Sequence, residues 1–128
     1  MEQVPVVLII EDDELLRGMV EDAISEAGFQ FLTVAAGEEA LTLLQSGVTD
    51  CKALITDINL KGSMNGWEVA RQARQRDPGL AIVYMTGAAA DEWPAEGVPD
   101  SILLQKPFAP AQLITAVSQL LNKSTLSS

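Results

Sequence analysis

The chain has 128 residues, of which 48% are hydrophobic and 20% are charged, which is the size and composition of one compact domain. This composition excludes a disordered chain, and the length supports a core without disulfides or a metal. Eighteen acidic and eight basic residues give a formal net charge of −10, which predicts no direct binding to nucleic acid or anionic membranes. The absence of histidine excludes histidine-based catalytic triads and most catalytic zinc sites.

The chain ends and the single cysteine carry little sign of secretion. The apolar start at residues 4–10 is too short and wrongly flanked for a signal peptide, and no apolar run approaches the roughly 18 residues of a membrane span. Cys51 cannot form an internal disulfide, so we interpret it as an inert thiol. We predict a cytoplasmic protein with one domain over residues 1–128. The polar tail at 123–128 is predicted to be frayed, and this tail and Met1 favour a complete protein over a domain cut from a larger hybrid kinase.

Five apolar runs of strand length recur along the chain. They occupy residues 6–10, 29–34, 53–55, 81–85 and 102–104. Because the runs are nearly unbroken and do not alternate with polar residues, they are typical of strands buried on both faces. Such strands occur in parallel sheets that are covered by helices.

Helical patterns separate these runs. Apolar residues at positions 16, 19, 20, 23, 24 and 27 have the spacing of one helix face, and Gly28 then supplies a stop. A second pattern ends at Gly47, a third must stop before Pro78, and the last covers residues 113–121. Repeated alternation of strand and helix predicts a parallel sheet with helices on both faces.

The segment at residues 88–99 breaks this rhythm, because it contains Pro94, Gly97 and Pro99. We therefore predict only a short helix there, near residues 89–93. Such a segment has few regular backbone hydrogen bonds, so we expect residues 87–99 to move readily, with Trp93 as a fluorescent reporter.

Polar residues follow four of the five predicted strands. They are Glu11, Asp12 and Asp13 after the first, Asp57 after the third, Thr86 after the fourth, and Lys106 with Pro107 after the fifth. Ligands of open parallel sheets bind beyond the carboxyl ends of the strands, so these side chains are expected at one edge. Clustered carboxylates need a cation, and hard oxygen ligands favour Mg²⁺ together with a phosphate oxygen.

These residues, in this order and each behind its own strand, resemble those of a bacterial response-regulator receiver domain, and the resemblance covers nearly the whole chain. The matching residues are the acidic pair Glu11 and Asp12, the phosphoacceptor Asp57, the hydroxyl residue Thr86, and Lys106 before a cis proline, Pro107. The resemblance implies an α/β fold of the flavodoxin-like type, a doubly wound five-stranded parallel sheet with strand order 2-1-3-4-5.

The resemblance also implies a phosphotransfer function. Asp57 would accept a phosphoryl group from a sensor histidine kinase or a phosphotransfer protein, while Thr86 donates its hydroxyl to a phosphoryl oxygen and Lys106 offsets the negative charge. The implied cofactor is Mg²⁺. Its implied ligands are Asp12, Asp57, the backbone carbonyl of Asn59, and Glu11 acting mainly through water. Such a chain is a phosphoacceptor rather than an enzyme, although it assists its own phosphotransfer and dephosphorylation.

Two departures from the family bear on the output of the domain. Leu103 stands where many members carry an aromatic residue that rotates inward on activation, and the fourth helical segment is broken. Because no output domain follows Leu121, we expect the signal to pass by contact with an unknown downstream protein. The predicted contact surface comprises residues 87–99, the fifth strand and the last helix, with Gln112 and Gln119 as candidate contacts.

Two other functions remain open at this stage. One is a degenerate receiver that binds partners without phosphorylation. The other is a small phosphohydrolase with an aspartyl nucleophile of the haloacid dehalogenase type, which Asp57-Ile58-Asn59 distantly indicates, although Asn59 replaces the second acid. Each site residue alone is also compatible with a helix cap, a turn or a solvated side chain. Only their coincidence at four strand ends favours a site.

Overall fold

Five parallel strands form one sheet in the computed structural model, which describes residues 6–47, 50–60, 62–88 and 90–126. The strands are β1 (Val6–Ile10), β2 (Gln30–Val34), β3 (Cys51–Asp57), β4 (Ala81–Thr86) and β5 (Ser101–Gln105). They pair in the order β2-β1-β3-β4-β5. This topology confirms the predicted flavodoxin-like sheet.

In the part of the chain that the structure describes, four helices connect the strands and a fifth follows β5. They are α1 (Glu14–Glu26), α2 (Gly37–Ser46), α3 (Gly66–Arg76), α4 (Trp93–Glu96) and α5 (Pro110–Leu126), and a 3-10 turn at Ala90–Glu92 precedes α4. Among the described residues, no helix combines the length and hydropathy that crossing a bilayer requires.

Two helix boundaries differ from the predictions. The fourth helical segment is short, as predicted, but it extends beyond residue 93 because Pro94 occupies the first turn of α4, where its missing N–H costs nothing. Residue 89, the predicted start of this helix, lies outside the described residues. Helix α5 continues to Leu126, into the tail that was predicted to be frayed, since residues 111–126 contain neither glycine nor proline. Residues 127–128 of this tail also lie outside the described residues.

The two faces of the sheet carry separate hydrophobic clusters. Helices α2 and α3 cover one face, where Trp67 packs on Tyr84 with ring centroids 4.6 Å apart. Helices α1 and α5 cover the other face, against side chains such as Ile55 and Val83. Because both faces of β1, β3 and β4 are buried, these strands need apolar residues at successive positions, which explains their unbroken apolar runs. The prediction of burial on both faces is wrong for β2, which lies at the edge of the sheet and is partly exposed along its length. Buried Cys51 donates its thiol to the carbonyl of Ala53 at 3.1 Å.

Local hydrogen bonds fix the turns between strands and helices. The Asp13 carboxylate accepts from the Leu16 N–H at 3.0 Å and so caps α1. Gly28 follows α1 with φ of 94°, a conformation that favours glycine. Helix α3 begins at Gly66, and the side chain of the preceding Asn65 caps the helix by accepting a hydrogen bond from the N–H of Glu68. These caps confirm the predicted stop of α1 and the predicted role of Gly66 in the entry of α3.

Two arginines near the end of α3 bind backbone carbonyls of neighbouring elements. Arg76 donates from Nε to the carbonyl of Leu44 at 2.9 Å and from Nη2 to that of Gln45 at 2.8 Å, at the C-terminal end of α2. The guanidinium of Arg74 donates to the carbonyls of Leu80, Pro99 and Asp100. Helix α3 is thereby joined to α2 on one side and to the β4–β5 connection on the other.

Candidate functional site

Three carboxylates meet at the carboxyl edge of the sheet. Glu11 and Asp12 directly follow β1, and Asp57 is the last residue of the neighbouring strand β3. One oxygen of each carboxylate lies within 4.8 Å of the others. Glu11 is 1% exposed and Asp57 is 8% exposed, while Asp12 is partly exposed. This set of oxygen donors fits Mg²⁺, which prefers few carboxylates and completes its coordination with water and anionic oxygens.

Lys106 places its ammonium group between two of these carboxylates. Its Nζ lies 3.3 Å from Oδ2 of Asp57 and 3.4 Å from Oε1 of Glu11. The backbone N–H of Lys106 donates to the carbonyl of Thr86 at 2.7 Å, which fixes the end of β5 beside the end of β4. The Lys106–Pro107 peptide bond is cis, as predicted.

The environment of Glu11 disfavours its charged form. Burial raises the pKa of the Glu11 carboxyl above its ordinary value, and the nearby charge of Asp57 raises the pKa further. The backbone N–H of Asp13, which donates to Oε2 of Glu11 at 3.1 Å, and the ammonium of Lys106 act in the opposite direction. A cation at this edge would favour the ionised carboxylate, because it would offset both the burial and the repulsion.

Thr86 and Asn59 complete the predicted set. Thr86 is fully buried at the end of β4, one residue beyond Met85, which pairs with Asp57. Its Oγ1 accepts the backbone N–H of Ala88 at 3.1 Å. Asn59 follows Asp57 by two positions and has an exposed side chain, so a part in metal binding would belong to its backbone carbonyl. That part stays a prediction.

Gly66 supports the site in a way that the sequence did not indicate. Its N–H donates to the carbonyl of Ile58 at 2.8 Å, and a Cβ at this position would lie 2.3 Å from the carbonyl oxygen of Asp57. Helix α3 thus begins directly against the backbone that carries Asp57. A glycine shortly after a strand-terminal acid is the signal that could have indicated this contact.

Comparisons with known proteins agree with this geometry. The sequence model of the response regulator receiver domain matches residues 7–118. The response regulator receiver protein CpdR of Brucella abortus is 33% identical over 117 residues, which cover 90% of this chain and 95% of CpdR. A crystal structure of a response regulator receiver protein from Sinorhizobium medicae is 45% identical, with a TM-score of 0.91 and coverage of 95% of this chain and 98% of that chain.

A longer relative shows the same similarity over a part of its length. The sensor kinase CckA of Brucella abortus is 28% identical over 120 residues, and the match covers 91% of this chain but only 12% of the kinase. The chain therefore resembles both a protein of its own size and one segment of a much larger one.

Proposed function

Because the chain belongs to the response regulator receiver domain family, we propose that it accepts a phosphoryl group on the carboxylate of Asp57 and signals by contact with another protein. One observation carries this proposal. The Asp57 carboxylate lies in a cluster of three acidic side chains, and the Lys106 ammonium lies 3.3 Å from it. A nucleophilic carboxylate beside a cation and a metal-ligand set suits attack on an anionic phosphorus centre.

The proposed donor is the phosphohistidine of a sensor histidine kinase or of a phosphotransfer protein. The chain contains no histidine, so the donor imidazole lies outside these 128 residues. A carboxylate oxygen of Asp57 forms the new P–O bond while the P–N bond of the donor breaks, and the imidazole keeps the electron pair of that bond. The resemblance to part of a sensor kinase is consistent with phosphotransfer signalling.

The remaining site residues assist this transfer. Glu11, Asp12, Asp57 and the carbonyl of Asn59 would hold Mg²⁺, which supplies positive charge against the phosphoryl oxygens when it is bound. The Lys106 ammonium is close enough to Asp57 to contact the transferred group. The hydroxyl of Thr86 donates to a phosphoryl oxygen, which draws the end of β4 toward the site.

The proposed output surface lies on α5 and the exposed edge of the sheet. A groove of about 360 Å³ runs between β5 and α5. Its lining includes Ile102, Leu104, Gln112 and Gln119, so it contains both glutamines that were predicted as contacts. Apolar and neutral polar side chains of this kind are compatible with a protein partner. The cytoplasmic location and the lack of direct nucleic-acid binding stay predictions from the sequence.

Phosphoryl uptake from acetyl phosphate, followed by intact mass spectrometry, tests the proposal. The wild type should gain one adduct with Mg²⁺ and none with a chelator. Asp57→Asn should gain none. Asp50→Asn is the matched control, because exposed Asp50 directly precedes β3 and pairs with Lys52 far from the site. It should react like the wild type.

Three results would contradict the proposal. An adduct on Asp57→Asn at the wild-type rate would place the acceptor elsewhere. No adduct on a folded wild type in the presence of Mg²⁺ would favour a degenerate receiver. Turnover of an added phosphomonoester would favour the aspartyl phosphohydrolase.

A further inference from the structure

The described residues between β4 and β5, which are residues 87–88 and 90–100, are held at both ends by side chains of one strand. We call this segment the α4 strap. Near its start, Oγ1 of Thr86 accepts the N–H of Ala88 at 3.1 Å. Near its end, the hydroxyl oxygen of Tyr84 accepts the N–H of Val98 at 3.1 Å. Tyr84 and Thr86 are two residues apart in β4, so their side chains point to the same face of the sheet.

The end of the strap has further attachments around Val98. The hydroxyl of Ser101 donates to the Val98 carbonyl at 2.6 Å and accepts from Nε1 of Trp93 at 3.1 Å. The backbone N–H and the carbonyl of Val98 are therefore both bound by side chains of the sheet. Through Ser101, Trp93 at the start of α4 is connected to Val98 as well.

Helix α3 adds a second set of attachments to this half of the strap. The guanidinium of Arg74 donates to the carbonyls of Pro99 and Asp100. Arg71 pairs with Glu96 at 3.1 Å. Residues 93–100 are thus anchored by β4, β5 and α3, and the expectation of a loosely bonded segment is wrong for this half. Few regular backbone bonds are present, but side-chain hydrogen bonds replace them.

The first half of the strap has a different attachment. Its start is bonded to Thr86, the residue that phosphoryl uptake would displace, and the acidic turn at Ala90–Glu92 contains two exposed residues, Asp91 and Glu92. Tyr84, in contrast, is fully buried, and its ring packs on Trp67 with centroids 4.6 Å apart. Close packing around this ring resists displacement, so Tyr84 is held more firmly than the exposed turn.

We propose that the Tyr84 hydroxyl is a buried latch that holds the second half of the α4 strap in place, so that within the strap signalling moves only residues 87–88 and 90–92, which pivot at Trp93. The proposal rests on the proposed function, because the displacement of Thr86 follows phosphoryl uptake at Asp57. The latch itself exists in the unphosphorylated protein and can be tested there.

Tyr84→Phe tests the latch directly, because it keeps the ring and removes the hydroxyl oxygen that accepts the Val98 N–H. Amide exchange measured by NMR on the unphosphorylated protein should rise at Val98 by roughly fivefold to tenfold, the factor that corresponds to one hydrogen bond. Exchange at Ala88 should match the wild type. The matched control is Thr33→Val, which removes a hydroxyl that donates to Glu21 at 2.6 Å in another part of the fold. Unchanged exchange at Val98 in Tyr84→Phe would overturn the latch.

A second variant covers the case in which Tyr84→Phe fails to fold. Ser101→Ala removes the donor to the Val98 carbonyl and the acceptor of the Trp93 indole N–H. Exchange of this indole proton should become faster while the protein stays folded. An indole proton that exchanges as in the wild type would count against Trp93 as the pivot.

The signalling half of the proposal is tested with Mg²⁺ and beryllofluoride, a phosphoryl mimic. In the wild type, amide exchange should change at Ala88 and at 90–92 but not at Val98, whereas in Tyr84→Phe the change should extend to Val98. A change at Val98 of equal size in the wild type would overturn the pivot. A wild type in which no amide responds would contradict the phosphoacceptor assignment instead, and the unphosphorylated Tyr84→Phe result would decide the latch alone.

Discussion

Replacing Gly66 with alanine adds one methyl group where α3 meets the backbone of the phosphoacceptor. The new Cβ would lie 2.3 Å from the carbonyl oxygen of Asp57 and 2.9 Å from Cα of Ile58, whereas real Cβ atoms essentially never approach within 3.0 Å. Both obstacles are backbone atoms, so neither can rotate away. The start of α3 or the end of β3 must therefore move by about 1 Å to reach a van der Waals distance.

This movement has a cost in stability and a cost in phosphotransfer. Overpacking at a closely packed site costs about 1–3 kcal/mol, and here the hydrogen bond from the Gly66 N–H to the Ile58 carbonyl is disturbed as well. We expect a loss of about 2 kcal/mol, which lowers the melting midpoint by roughly 6–10 °C. A shift of Asp57 by about 1 Å relative to Lys106 should also slow phosphoryl uptake by at least about tenfold.

Gly18→Ala provides the matched control, because the same substitution is expected to raise the stability of the fold instead of lowering it. Gly18 lies inside α1, and nothing lies within 4 Å of its added Cβ. Alanine is favoured over glycine in a helix interior by about 0.5–1 kcal/mol, so this variant should be more stable than the wild type. Thermal and urea unfolding measure stability, and intact mass measures uptake. A Gly66→Ala variant as stable as the wild type would refute the close approach of α3 to Asp57.

Two further predictions concern the acidic cluster, and a third concerns the adjoining cap of α1. Mg²⁺ at a hundredfold excess over its dissociation constant should stabilise the fold by about 2.7 kcal/mol, and Asp12→Ala should remove most of this gain. A wild-type melting midpoint that does not change when Mg²⁺ is added would count against the metal site. Without Mg²⁺, stability should fall as the pH rises from the ordinary glutamate pKa of 4.5 through the raised pKa of Glu11, because the folded state holds that proton more tightly. Urea unfolding of Glu11→Gln over the same range should show a smaller fall, and equal slopes would contradict this assignment. Asp13→Ala should cost about 1 kcal/mol through loss of the α1 cap and leave phosphoryl uptake unchanged, so a variant with wild-type stability would show that the cap contributes nothing.

The sheet and the cluster at its edge could be predicted because local sequence carries both. Unbroken apolar runs indicate buried parallel strands, and polar residues follow the first, third, fourth and fifth of these runs. Asp57 and Lys106 lie far apart in the chain, yet each is placed by its own strand end. The strand order, which the family resemblance implied and local sequence did not, is then enough to bring their side chains together.

The attachments of the α4 strap could not be predicted in the same way. In the sequence, Tyr84 is one more residue of a buried apolar run, and nothing local shows that its hydroxyl accepts a hydrogen bond from Val98. Ser101 begins β5, and its bond to the Trp93 indole depends on how the strap folds back. Proline and glycine correctly marked the absence of a long helix, but they did not show which side chains would replace its hydrogen bonds.

The two arginines near the end of α3 have a consequence for the response to ionic strength. Arg74 and Arg76 bind neutral carbonyl oxygens rather than carboxylates, so dissolved ions compete only weakly with these short contacts. The acidic side chains outnumber the basic ones and give a net charge of −10, so they repel one another over longer distances. Salt at about 0.15 M screens this repulsion beyond roughly 8 Å. A monovalent salt should therefore remove more repulsion than attraction, and the fold should tolerate saline conditions better than dilute buffer.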